Sequence, residues 1–388
     1  MEVPLLDLKA QYATIREQVR AAVDDVFESQ RFILGPHVAA LEEEFARFCG
    51  APFAIGVASG TDALLLSLKA LGVGPGDAVV TVPYTFFATA GTIVNLGARP
   101  LFVDIEPAGF NLDPEQLRKF MDQDCAFDMR ARKLIHRASG ARIKAIVAVH
   151  LYGQCAAMDE ILALAERNQL PVVEDACQAV GAKHHERKAG TMGDLGCFSF
   201  FPSKNLGGVG DGGMIVSCNE QLAQHVRLLR NHGAHPKYYH KMVGFNSRLD
   251  EIQAAVLRVK LAHLETWSQA RRCNAADYDD LFQKAGLSGR IQTPPVLAGN
   301  QHIFHQYIIR TPKRDELRAV LQARSIGTEI YYPVSLHEQE CFRSLGYRAT
   351  DFPRSSEAAA QTLALPIYPE LTHEQRAYAV RCIADFFS

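Results

Sequence analysis

The chain has 388 residues, 48% of them hydrophobic, with 41 Lys+Arg against 43 Asp+Glu for a formal net charge of −2. That length and apolar content allow two or three domain-sized units with a full core, and the balanced charge excludes a global attraction to nucleic acid or to an anionic membrane. The opening MEVPLLDLKAQY carries acids where a secretory leader is basic, and no run approaches the ~18 apolar residues of a membrane span, so a cytoplasmic protein is expected.

In chain order, FAIGVAS reads as a strand, TDALLLSLKAL as a helix, GVGPGD as a turn, AVVTV as a strand, TFFATAGTIVNLG as a helix and PLFVDI as a strand. KAIVAVHLY, LPVVEDA and GCFSFF continue this βα alternation. An α/β fold follows, with a mostly parallel sheet covered on both faces and extending to about residue 218. Beyond it, Arg248 to Trp267 reads as one long helical stretch, HIFHQYIIR as a strand and RDELRAVLQARSI as a helix. The expected division is a large domain over 1–250 and a smaller α/β domain over 251–388. Nine scattered cysteines without CxxC spacing argue against a disulfide framework or zinc ribbon.

One lysine stands out in SFFPSKNLGGVG. Lys204 sits between an apolar strand end and a glycine turn. Desolvation lowers an amine's pKa and makes more of the nucleophilic free base, which suits a Schiff-base lysine; a solvated loop lysine is the alternative. Gly208, Gly210 and Gly213 match GxGxxG but lead into a strand rather than a helix, so a dinucleotide site is discounted. A P-loop fails too, because its lysine follows the glycines whereas Lys204 precedes them.

Three other segments supply what a lysine-bound pyridoxal phosphate needs. Gly60 and Thr61 lie at a strand-to-helix junction, where free amides and the helix dipole suit a phosphate, or where Ser59 or Thr61 merely caps the helix. Glu174 and Asp175 end an apolar strand; successive side chains face opposite ways, so one of the two can enter a site and hold a pyridine nitrogen protonated. Phe86 and Phe87 follow a strand, where an aromatic face can stack on a flat cofactor or simply join the core.

Taken together and in order, SGTDAL, PYTFFATA, VHLYGQ, EDACQAVGA, FSFFPSKNLGGVGDGG and GFNSRLDEIQAA resemble the pyridoxal-phosphate-dependent nucleotide-sugar aminotransferases of the DegT/DnrJ/StrS type. The resemblance runs from PLLDLKAQY to YYPVSLHEQ and LALPIYPELT, almost the whole chain. It implies a fold-type I transferase of the aspartate aminotransferase kind and a cofactor that alternates between pyridoxal and pyridoxamine phosphate. By that resemblance Lys204 carries the cofactor and shuttles a proton, Asp175 pairs with the ring nitrogen, Gln178 contacts the ring near its phenolic oxygen, and Phe86 stacks on the ring. Ser199, Gly60 and Thr61 would bind phosphate, and Asn246 would reach the phosphate of a neighbouring subunit, implying a homodimer with shared sites. Arg248, Tyr332 and His337 are carried as substrate contacts.

KNLGGVGDGG resembles family members that aminate carbon 3 of the sugar, whereas carbon-4 enzymes tend to carry a TTGEGG-like stretch. The expected reaction is transfer from glutamate to a dTDP- or UDP-linked 3-keto sugar. A carbon-4 aminotransferase and a non-catalytic regulatory or binding protein are the alternatives. MDQDCAFDMRARKLIHRASGARI departs from the family pattern; it reads as a solvated surface insertion, or as a basic loop meeting a nucleotide diphosphate. For the pairs His184, His185 and His232, His235, no acidic or cysteine partner recurs at ligand spacing, so no metal is expected.

Overall fold

The computed structural model describes residues 1–130 and 132–388. The chain begins with helices α1 (Leu8–Ser29) and α2 (Pro36–Cys49), then alternates β1 (Phe53–Val57), α3 (Gly60–Ala70), β2 (Asp77–Thr81), α4 (Ala88–Asn95) and β3 (Arg99–Phe102). There follow α5 (Pro114–Gln123), β4 (Cys125–Asp128), β5 (Lys133–His136), β6 (Arg142–Val149), α6 (Met158–Arg167) and β7 (Val172–Asp175). A small hairpin, β8 (Lys183–His184) and β9 (Arg187–Lys188), precedes β10 (Leu195–Ser199), β11 (Gly213–Ser217) and α7 (Glu220–Leu229). The remainder comprises α8 (Glu251–Leu261), α9 (Leu264–Lys284), β12 (Asn300–Gln301), β13 (Tyr307–Arg310), α10 (Arg314–Ala323), α11 (Pro353–Gln361), β14 (Thr362–Leu365) and α12 (His373–Phe387).

The main sheet runs in the order β1-β11-β10-β7-β6-β2-β3. Pairs from β10 through β7, β6 and β2 to β3 are parallel, whereas β11 pairs antiparallel with both β1 and β10. The mostly parallel, doubly covered sheet expected from the sequence is therefore present, and β11 ends it at Ser217. Its apolar runs fill both faces: Val80 and Ile146 pack towards Ile161 of α6, while Val79 and Val147 pack towards Leu64 and Leu68 of α3.

The insertion is a β-hairpin. β4 pairs antiparallel with β5, and β5 with the start of β6 through Leu134↔Ile143. Val149, at the far end of β6, lines the cavity described below. At ~3.3 Å per residue the two ends of β6 lie roughly 20 Å apart, so the strands of the insertion extend the sheet on the side away from the cavity.

One expectation changes. The stretch from Arg248 to Trp267 is broken between Leu261 and Leu264, with no Gly or Pro to announce the break. Two buried clusters draw on residues from distant parts of the chain. Leu257 of α8 belongs to the same buried cluster as Leu41 and Phe45 of α2, while Val3 joins the C-terminal cluster with Tyr307, Leu321 and Ile383. Val3 is fastened there by its N–H to the Ser325 carbonyl (2.9 Å) and by Gly327 N–H to its own carbonyl (2.8 Å).

Alternation along β7 sends Glu174 away from the site and into the core. Its carboxylate, fully buried, accepts from the backbone of Gly190 (2.7 Å), Met192 and Gly193 (both 2.6 Å) and meets His150 Nε2 at 2.7 Å. Because His150 Nδ1 accepts the Ala156 N–H (3.1 Å), Nε2 carries the proton and donates it. Glu174→Ala orphans three amides and an imidazole, and is expected to cost about 3–5 kcal/mol of stability by chemical denaturation.

Candidate active site

A cavity of about 420 Å³ opens at the carboxyl ends of β6, β7 and β10, where parallel strands of an α/β sheet deliver ligand-binding groups. Asp175 and Ser199 are the last residues of β7 and β10, so the strands themselves aim them there. Asp175, 6% exposed, accepts from Thr89 Oγ1 at 2.8 Å and from the Cys177 N–H at 3.3 Å. These bonds fix the carboxylate with its charge directed at the cavity.

Lys204 enters from the turn after β10. Its N–H bonds the Phe201 carbonyl at 2.8 Å, and Gly208 N–H bonds the Phe200 carbonyl at 2.7 Å. Gly207 makes this turn possible, because a Cβ there would collide with the Pro202 carbonyl. The side chain keeps some accessible surface because it faces the cavity, yet the protein around it desolvates the amine and lowers its pKa from the ordinary 10.5. Cys177 and Asp175 partly oppose that shift. The neighbouring Cys177 thiol is pushed well up by burial and stays neutral, whereas the same burial leaves more of Lys204 as the free amine. Capture of an aldehyde by the cofactor-free protein should accelerate with rising pH and level off at a midpoint below that of an ordinary lysine. A pH series of absorbance-monitored pyridoxal phosphate binding measures it.

The start of α3 forms one end of the cavity. Ser59 Oγ caps the helix by accepting the Asp62 N–H at 3.0 Å, leaving the first amides, of Gly60 and Thr61, for another acceptor. Of the two capping candidates it is Ser59 that caps, and the amides of Gly60 and Thr61 are left unpaired beside it. A Cβ at Gly60 would lie 2.6 Å from Ser199 Cβ, so only glycine lets α3 approach β10 this closely.

Gln178 accepts the Tyr152 N–H at 2.8 Å and donates to the Tyr332 hydroxyl at 2.9 Å, tying one wall of the cavity to another. Phe86 lines the same space, its ring 6.1 Å from that of Tyr332, whereas Phe87 stacks on Phe342 outside it. Lys204, Asp175, Gln178, Gly60, Thr61, Ser199, Phe86 and Tyr332 are therefore brought together. Three residues are not. Asn246 is exposed in a bridge with Asn231, and Arg248 Nη1 donates to Asn231 Oδ1 at 3.3 Å; neither lines the cavity. His337 is buried with its ring 4.8 Å from Phe352, away from the cavity.

Sequence reading missed Thr89, His305 and Gln306. His305 Nδ1 meets Asn205 Oδ1 at 3.0 Å, and Asn205 Nδ2 donates to the Ile303 carbonyl, so Nδ1 is the donor and Nε2 remains an acceptor. Burial, and then Lys204, hold this imidazole neutral. Gln306 Oε1 is buried without a hydrogen-bond partner. The polar HQ pair interrupting the apolar HIFHQYIIR was the available signal.

The sequence profile of the DegT/DnrJ/EryC1/StrS aminotransferase family matches residues 13–384. The chain belongs to this family. It is 46% identical over 387 residues to the "Pleiotropic regulatory protein" of Geobacillus stearothermophilus, covering 100% of this chain and 99% of that one. Over 375 residues it is 41% identical to the UDP-N-acetyl-3-dehydro-alpha-D-glucosamine 3-aminotransferase of Acidithiobacillus ferrooxidans, covering 97% and 95% of the two chains. A crystal structure of DesV from S. venezuelae in complex with a ketimine intermediate superposes with a TM-score of 0.91 at 39% identity, covering 99% and 98%. DegT-family aminotransferases are pyridoxal-phosphate-dependent transaminases, and the cavity fits that cofactor. It supplies a desolvated amine, an opposed carboxylate, free amides at a helix start and an aromatic face within one enclosure. Among the described residues no helix is long and apolar enough to cross a membrane.

Proposed function

We propose that this protein transfers an amino group from glutamate to carbon 3 of a 3-keto sugar linked to dTDP or UDP, acting as a cytoplasmic homodimer with shared sites. The observation that carries the reading is the low-pKa amine of Lys204 in one cavity with Asp175 and the start of α3. The sugar assignment rests on relatives: besides the Acidithiobacillus enzyme, a dTDP-3-amino-3,4,6-trideoxy-alpha-D-glucose transaminase of Streptomyces venezuelae is 41% identical over 384 residues.

Bound pyridoxal phosphate supplies an electron sink and a carrier for the amino group between two substrates. Lys204 would hold it and, once its amine is free, would take and return a proton at the reacting carbon. Asp175 keeps the ring nitrogen cationic, and Thr89 keeps Asp175 in place. The Gly60 and Thr61 amides with Ser199 would hold the phosphate, Phe86 would offer an aromatic face to the ring, and Gln178 would contact its oxygen side. Tyr332, joined to Gln178, offers its hydroxyl to the sugar, with Arg248 kept as a further substrate contact. Asn246 stands exposed, available to a neighbouring subunit.

Incubation with 15N-glutamate and UDP- or dTDP-3-keto sugars, read by mass spectrometry and NMR, is expected to place the label on carbon 3. Label on carbon 4 would select the carbon-4 alternative. Absence of transfer from a protein that still accepts nitrogen from glutamate would reject the keto-sugar assignment while leaving the transaminase half-reaction intact. A regulatory reading is favoured by names alone, that of the Geobacillus relative and that of the "Erythromycin biosynthesis sensory transduction protein EryC1" of Saccharopolyspora erythraea; absence of any amino exchange would support it.

A further inference from the structure

Away from the cavity, Asp159 at the start of α6 meets His184 of β8 and the adjacent His185. We propose that these three side chains form a binding site for a borderline divalent transition metal, Zn(II) foremost. Among the described residues this is the one group of His, Cys, Asp and Glu whose ligand atoms converge in this way, all within 4.8 Å of one another.

The tautomer of His184 is settled by its neighbours. Asn300, paired with it across β12 and β8, donates through Nδ2 to the Cys155 carbonyl at 2.9 Å, so the Asn300 Oδ1 faces His184 Nδ1 at 2.8 Å as an acceptor. Nδ1 therefore carries the proton, and Nε2 presents a lone pair. His184 is 7% exposed and its Nε2 is buried without a hydrogen-bond partner. An imidazole oriented through one nitrogen and unsatisfied at the other is how proteins present a metal ligand.

Distances agree. Asp159 Oδ2 lies 3.5 Å from His184 Nε2 and 3.3 Å from His185 Nε2, long for hydrogen bonds. Roughly 3.3 Å is the edge of a tetrahedron whose Zn–N and Zn–O bonds are about 2.0–2.1 Å. Arg187 engages the other carboxylate oxygen, Oδ1, which turns Oδ2 toward the two rings and leaves it free to ligate. Two imidazoles and one carboxylate oxygen suit zinc and its neighbours in the first transition series rather than Mg(II) or Ca(II), which prefer oxygen alone. The exposed sides of His185 and Asp159 leave a coordination position open to water.

Sequence spacing hides this site, because its acid lies far upstream on α6, whereas the argument against a metal rested on the lack of an acidic or cysteine partner recurring at ligand spacing. Occupied, it would clamp α6 to β8 and, through Asn300, to β12. The chain runs from β12 within a few residues to His305 and Gln306 on the cavity wall.

The test uses the full chain, dialysed against a chelator and titrated calorimetrically with Zn(II), alongside His185→Asn and Asp159→Asn. Asparagine at 185 tolerates the left-handed backbone there (φ 52°), so both variants preserve the fold, checked by circular dichroism. One equivalent per chain should bind the wild type at micromolar Zn(II) and raise its unfolding temperature, with affinity reduced on the order of tenfold or more in each variant. Electron paramagnetic resonance of the Cu(II) form should show two nitrogen ligands in the wild type and one in His185→Asn. No stoichiometric binding below millimolar Zn(II), or a bound equivalent that survives both substitutions unchanged, would overturn the proposal.

Discussion

Lys204→Ala is expected to abolish amino transfer, lowering turnover by roughly 10⁴-fold, the upper end of what a positioned proton-transfer group contributes. Borohydride treatment of the cofactor-loaded wild type should leave a pyridoxyl mass on the peptide containing Lys204, and none on the alanine variant. The fold should survive. Burial lowers the Lys204 pKa below its unfolded value, so holding this group in the folded state costs stability at neutral pH, a penalty that fades as pH rises. The cofactor-free variant should therefore melt no lower than cofactor-free wild type. Retention of about a tenth of wild-type turnover would remove Lys204 from the proton transfer, since even the weakest such groups contribute about 10².

Asp175→Asn should reduce turnover by about 10²–10³-fold while the lysine-linked cofactor still forms, the range for loss of one preorganised electrostatic contact. Asparagine keeps the shape and the bond from Thr89 but not the charge opposite the ring nitrogen. A second readout separates this from general damage. The Asp175 carboxylate favours the protonated Lys204 amine, so its removal lets the lysine pKa fall further, and the pH midpoint of cofactor capture should move down. A fall in turnover without that movement would mean the carboxylate acts elsewhere.

The strand ends of this site were legible in the sequence because they obey local rules. VVED alternates, and Asp175 faces the cavity while Glu174 lies in a cage of amides, as period-two geometry requires. Lys204 was marked by the apolar run before it and the glycines after. The contribution of the C-terminal part of the chain was harder to see. His305 and Gln306 sit at the edge of β13, and their entry into the cavity depends on the packing of that strand, whose Ile308 joins the cluster of Val80 and Ile146 under the main sheet, which no local periodicity encodes. His337 failed for the same reason in reverse: the short helical turn around it buries its ring against Phe352. Charge and composition could not say whether the insertion joins the sheet or the substrate; the β5–β6 pairing does.

The fastening of Val3 between Ser325 and Gly327 also bears on the order in which the molecule can be made. At about 5–20 residues per second, a ribosome takes roughly 15–60 s to deliver the partner of a segment it synthesised first. The sheet carrying Asp175 and Lys204 can assemble during that interval. Tyr331 and Tyr332 emerge only just after the residues that hold Val3, so the start of the chain and the last wall of the cavity must dock together. A nascent chain can thus possess its reactive lysine well before it possesses an enclosure, and cofactor captured in that interval would be held in a half-open cleft until translation nears its end.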